Sequence, residues 1–142
     1  SVSTRARRLH EPPVRTESPL LQIPYAQFLG VRVEADARGP VIVLPFRDDL
    51  IGNTWLPALH GGVVGAFLEL VAMAAMLDQS DGARVPKPIN FSIDYLRSVG
   101  PIETRGRAVI VKHGRRIANV RVSAWQSDEA KPVAAGTGNF LV

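Results

Sequence analysis

The chain has 142 residues, enough for one domain and short for two, and its 46% hydrophobic and 21% charged residues permit a real core. It has no cysteine, which excludes disulfides, thiolate metal centres and a thiol nucleophile. Seventeen Lys and Arg against 13 Asp and Glu leave a net charge of +4, but no helix-turn-helix, RNA-binding aromatic motif or zinc finger accompanies it. A phosphate-bearing small molecule is therefore the favoured partner, and nucleic acid is not.

Residues 1–19 are polar, basic and proline-bearing without periodicity, and read as a flexible N-terminal arm preceding a domain over 20–142. No apolar run follows Arg5, Arg7 and Arg8, so no signal peptide is readable and a cytoplasmic protein is expected. Leu20 to Phe28 fits a short helix started or interrupted at Pro24. Val31–Ala35 and Val41–Phe46 read as strands joined through Arg38-Gly39-Pro40, and Arg47–Leu59 as a loop. From Gly61 the pattern becomes almost wholly apolar, too long for a strand, which predicts a helix over about 61–78 buried nearly all round. A central charge and a length below about 20 residues argue against a membrane span. Asp81-Gly82 and Pro86 end it. Ile89, Phe91, Ile93 and Tyr95 then alternate with Asn90, Ser92 and Asp94, and further strands follow at about 105–112, 117–125 and 132–140. The layout is α+β: about six antiparallel strands wrapped around one helix.

Glu69 is the only charged residue from Gly61 to Leu77. A carboxylate in such surroundings needs a partner, water or a raised pKa, and the last would make it a general base or nucleophile at neutral pH. A structural acid paired to an arginine satisfies the same pattern. Helical spacing puts the small residues Gly62, Gly65, Ala66 and Ala72, with Met73 and Met76, on its face. His60-Gly61-Gly62 opens the helix, where backbone amides lack intrahelical acceptors and the dipole favours negative charge, as an oxyanion hole requires. Nine residues from His60 to Glu69 are about 2.5 turns, or about 13.5 Å along the axis. One chain cannot bring both to one carbonyl, whereas two antiparallel helices in a twofold dimer can.

Asn53, His60-Gly61-Gly62, the acid nine residues beyond the histidine, and Asn90-Phe91-Ser92-Ile93-Asp94-Tyr95-Leu96-Arg97 together resemble the hotdog-fold acyl-CoA thioesterases of the phenylacetate-pathway (PaaI-like) type, over roughly residues 20–142. The resemblance implies a hotdog fold and hydrolysis of an acyl-CoA with a medium-chain or aryl acyl group. It further implies a homodimer, paired into a dimer of dimers, with no metal and no cofactor beyond the CoA of the substrate. It gives the Gly61 amide and His60 the thioester carbonyl, Asn53 the water or carbonyl, and Glu69 the role of base or nucleophile in the partner's site. Gly62, Ala66, Met73 and Asn90 then line the substrate. Where relatives carry a water-holding Ser or Thr, this chain has Met73 and Pro88, leaving Asn90 and Ser92 as substitutes. The phosphates of CoA would be met by basic residues among Arg105, Arg107, Lys112, Arg115 and Arg116, with Arg115 and Arg116 preferred. A non-catalytic acyl-CoA-binding or sensing protein is the alternative. An enoyl-CoA hydratase or dehydratase is a weaker one, because no acid lies between Asp49 and His60.

Overall fold

The computed structural model describes residues 18–53, 58–59, 61–80 and 84–142, with only the backbone of Gly52, Asn53 and Ala58. Most of the arm, His60, and the Asp81-Gly82 stop signal lie outside the described residues. A single turn of 3-10 helix, Pro19–Gln22, leads into α1, Pro24–Leu29. Pro24 sits in the first turn of α1, where a missing N–H costs nothing. Gly30 closes the helix at φ 71°, a left-handed cap that glycine adopts without strain.

Strands β1, Arg32–Asp36, and β2, Gly39–Leu44, form a hairpin in which Asp36 accepts the Arg38 amide at 2.8 Å. Gly39 and Pro40, expected in the turn, already belong to β2. Pro40 is tolerated because the ladder from β2 to the next strand begins only at Ile42. The predicted loop contains two short strands, β3, Ile51–Asn53, and β4, Ala58–Leu59, paired with each other. The long helix α2, Gly61–Ser80, comes next, followed by β5, Lys87–Tyr95, β6, Thr104–His113, β7, Ile117–Trp125, and β8, Ala134–Leu141.

One antiparallel sheet runs β1-β2-β6-β7-β8-β5, leaving β1 and β5 as its edges. With α2 against its inner face this is the expected α+β hotdog arrangement. The core joins Phe67, Leu68, Val71 and Leu77 of α2 to Ile42, Val120, Val122 and Phe140 of the sheet. Although α2 is long and apolar enough to cross a membrane, ten of its twenty residues are buried in this domain.

The helix is not enclosed all round, as its composition had suggested. It lies mainly over β2, β6 and β7, and the side bearing Gly62, Ala66, Glu69 and Met73 is exposed or half-buried. Gly65, Ala72 and Met76, expected on that same face, are buried instead.

Gly106 sets how closely helix and sheet approach. A Cβ there would lie 2.6 Å from Val71 Cγ2 and 3.2 Å from Phe67 Cε1, inside van der Waals contact with two fully packed side chains. Replacing Gly106 by Val should destabilise the fold by about 1–3 kcal/mol through overpacking, read as a lowered urea midpoint with unchanged denaturant slope. An unchanged midpoint would show that α2 can lift off the sheet freely.

Candidate active site between helix and open edge

Glu69 stands in the middle of α2, half-buried, with no hydrogen bond or ion pair to another described residue. Ala66 lies one turn before it and Met73 one turn after, both half-buried. The acid thus borders a strip of small or flexible side chains, with no guanidinium paired to it among the described residues.

Gly61 and Gly62, both exposed, form the first turn of α2, and β5 crosses their end of the helix. The Tyr95 hydroxyl donates to the Gly61 carbonyl oxygen at 2.9 Å. A cleft of about 430 Å³ opens there, lined by Leu59, Gly61, Val64, Tyr95, Arg97 and Val99. Asn53 ends β3, whose partner β4 leads directly to the helix, and the Leu59 amide is fixed to the Val99 carbonyl at 2.9 Å. Gly61 and Glu69 of one chain are eight residues apart, about 12 Å along the helix axis, so they do not meet within a protomer.

Asn90 is placed elsewhere. It and Ser92 pair across β5–β8 with Asn139 and Thr137, on the sheet face turned away from α2, whereas Phe91 packs on the inner side above Gly136 and Gly138. The Asn90 Oδ1 accepts from Asn139 Nδ2 at 3.1 Å, and Asn139 Oδ1 accepts from Asn119 Nδ2 at 3.0 Å. This ladder ties β5, β8 and β7 together through Asn90. Tyr95, by contrast, received no role from the sequence alone. The available signal was its place at the end of the strand whose apolar side faces the helix start.

The arginines divide into two sets. Arg105 bonds Glu34 at 2.7 Å and Glu103 at 2.9 Å, and Arg107 bridges Asp36 and Glu129 while lying 5.9 Å from the Trp125 ring centroid. Both are thereby occupied and leave the set of phosphate candidates. Arg115 and Arg116 occupy the β6–β7 turn and make no side-chain ion pair among the described residues. With Lys112, Ile117, Asn119 and Asn139 they line a cleft of about 580 Å³. This turn lies beside the start of β5 and the end of β8, at the opposite end of α2 from Gly61.

The sequence pattern of the acyl-CoA thioesterase N-terminal domain matches residues 52–141, spanning the helix and the four strands after it. The chain belongs to this family. Among solved structures, a protein from Chromobacterium violaceum is 32% identical over 99% of this chain and 94% of its own, with a TM-score of 0.70. A phenylacetic acid degradation-related protein from Ralstonia eutropha is 24% identical over 98% of each chain, with a TM-score of 0.73. A Bacillus halodurans protein solved with CoA is 19% identical over 99% of this chain and 87% of its own, with a TM-score of 0.75. At these identities the last two establish the shared hotdog fold. No curated protein matches the chain.

The Arg107 hydrogen bond holds the Asp36 carboxyl at about 2, below its ordinary 3.8, with the Arg38 amide contributing. Glu129 is lowered likewise, first by Arg38 and then by Arg107. A depressed carboxylate stabilises the fold fully above its unfolded value and loses that contribution as pH falls through its folded one. Asp36→Asn should therefore lower the urea midpoint at pH 7. Because the pair is half-exposed and screened, the loss should be only roughly 0.5–1 kcal/mol. The gap from the native protein should close between about pH 4 and pH 2, and a gap constant across that range would show that the pair does not carry it.

Proposed function

We propose that this protein hydrolyses acyl-CoA thioesters at sites formed between two copies of the chain. Glu69 of one copy would face the helix-start amides of the other. The observation that carries the reading is Glu69 itself, left without a described partner on the one side of α2 that the sheet does not cover. Family membership supports the reaction class.

The free edge of β5 supports the pairing. It meets the first turns of α2 at Gly61 and Gly65, is nine residues long, and exposes Ile89 and Tyr95 by 50% and 56%, with Leu96 just beyond it at 51%. Long uncovered edges with apolar side chains are the surfaces that proteins ordinarily pair or cover. A twofold axis alongside β5 would set the two α2 helices antiparallel, bringing Gly61 of one copy toward Glu69 of the other.

In this arrangement the Gly61 amide, assisted by His60, polarises the thioester carbonyl, and Asn53 helps place the carbonyl or the water. Glu69 takes a proton from water as its oxygen attacks the carbonyl carbon. The tetrahedral oxyanion is held by helix-start amides, which act strongly because they are already oriented. Its collapse breaks the C–S bond, and the departing thiolate takes up a proton, leaving free acid and CoA. Met73 of α2 and Phe91 and Ile93 of β5 are apolar, half-buried side chains suited to a medium-chain or aryl acyl group. Arg115 and Arg116 are available for CoA phosphates.

The shared site is tested with two lesions. Glu69→Gln removes the base, and Gly61→Pro removes one amide at the first helical position, where proline is otherwise tolerated. Each should lower kcat by about 100-fold or more, followed as free thiol release from acyl-CoAs of varied chain length and aromatic head. Mixing the two variants by refolding should restore about a quarter of native activity, since half the dimers then carry one intact site. Failure of the mixture to recover would refute a site shared between copies, and full activity of Glu69→Gln would refute its role. Tight binding without thiol release by the native protein would favour the acyl-CoA-binding alternative.

Changing both Arg115 and Arg116 to Glu should raise KM for acyl-CoA by about ten-fold or more while leaving kcat close to native, with the difference shrinking as salt is raised. An unchanged KM at low ionic strength would remove this turn from the substrate site.

A further inference from the structure

The Gly61-Gly62 pair creates a difficulty for the site just described. Adjacent glycines have the widest backbone freedom of any residues, yet carbonyl-polarising amides work only when held in one orientation. The first turn of a helix has no preceding turn to hold it. Its carbonyls are held by amides one turn on, but its N–H groups have no such partner, so a contact from outside the helix adds restraint where it is weakest.

Tyr95 supplies that restraint. Its hydroxyl bonds the Gly61 carbonyl oxygen, and its ring lies under the glycine, with Cζ and Oη 3.8 and 3.7 Å from where a Gly61 Cβ would stand. The same hydroxyl lies 3.5 Å from the corresponding point of Gly65, and Ile93 Cδ1 lies 2.9 Å from it, so β5 and the first turns of α2 touch through glycines. Because the peptide group is planar, a bond to the Gly61 carbonyl orients the Gly61–Gly62 peptide, and with it the Gly62 N–H that stands next to the Gly61 N–H at the helix start. Donation to a carbonyl also polarises the peptide that carries it.

The anchor is itself held. Tyr95 pairs with Ala134 at the end of the β5–β8 ladder. Immediately after it, the amides of Leu96 and Arg97 both donate to the Val133 carbonyl, at 2.9 and 3.1 Å, and the Arg97 guanidinium donates to the Pro132 carbonyl. Four consecutive contacts thus pin the end of β5 to the start of β8, and the tyrosine projects from this fixed point onto the helix start.

We propose that Tyr95 is a positioning residue for thioester hydrolysis, acting through the Gly61 carbonyl to hold the amides that polarise the substrate. This rests on the function proposed above. A displacement of about 1 Å in such a group can cost on the order of 100-fold, and loss of one supporting hydrogen bond commonly costs 10-fold or more. Tyr95→Phe keeps the ring and removes only the hydroxyl. It should lower kcat about ten-fold, leave KM within about two-fold, and keep the native thermal midpoint, since the lost bond is solvent-exposed.

A second readout is spectroscopic. In Glu69→Gln, where turnover should be slowed about 100-fold or more, the infrared carbonyl band of a carbon-13-labelled acyl-CoA should sit below its position in water. Adding Tyr95→Phe should move it back toward the water value. An unchanged kcat in Tyr95→Phe, or a band that does not move in the double variant, would overturn the inference. If the native protein releases no thiol, the hydrolytic reading falls and takes this one with it. That case is distinct because the native chain, not the variant, fails.

Discussion

A six-stranded sheet curled against a twenty-residue helix covers only part of the helix's circumference, and everything functional in this chain follows from the part left over. The covered side is ordinary core, with Phe67, Leu68 and Val71 packed so closely that Gly106 alone fits beneath them. The uncovered side carries the single acid of the segment among small residues, and the sheet ends in β5, whose outer edge is unpaired. Half-burial leaves the Glu69 carboxylate partly solvated within one protomer. In the proposed reaction a carboxylate becomes an effective base only when a substrate carbonyl, oriented donors and partial exclusion of water coincide, and Gly61 and Glu69 of one chain stand about 12 Å apart along the helix axis.

The charges follow the same division. Around β1, β2 and β6, acids and arginines are matched: Glu34 and Glu103 with Arg32 and Arg105, Asp36 and Glu129 with Arg38 and Arg107. At the far end of the sheet, Arg115 and Arg116 have no such described partners. The net charge of +4 is therefore unevenly distributed. A protein-wide basic balance says little about ligands, whereas adjacent arginines without described ion pairs mark a place where an anion would gain, unlike the paired arginines around β1, β2 and β6.

The helix, its acid and the strands after it were legible in the sequence because they rest on local periodicity: an unbroken apolar stretch, and the alternation from Ile89 to Tyr95. The pair β3–β4 was not, since strands of three and two residues hold too little pattern to read. The fate of Arg105 and Arg107 was also hidden, because their acids Glu34 and Asp36 lie 71 residues away and only the sheet brings them together. Asn90 is the instructive residue. The alternation already placed it opposite Phe91, on the side away from the helix, while family likeness drew it toward the substrate; the register agrees with the alternation. The open side of α2 was illegible for a different reason: an apolar helix reads alike whether its cover is its own sheet or a second molecule.

Strand β5 links these features in one element. Its outer edge is the surface on which a second copy would pair, its inner side chains Phe91 and Ile93 border the helix, and its last residue holds the helix start through Gly61. In the proposed assembly any shift of that edge moves Tyr95, and with it the amides offered to the other copy's Glu69. Dimer contact and carbonyl activation are then mechanically one event, since the ladder to β8 transmits displacement along β5 without a compliant loop between them. Weakening the edge pairing should consequently depress turnover before the two copies separate, because a rigid strand conveys small misalignments directly to groups whose effect depends steeply on position.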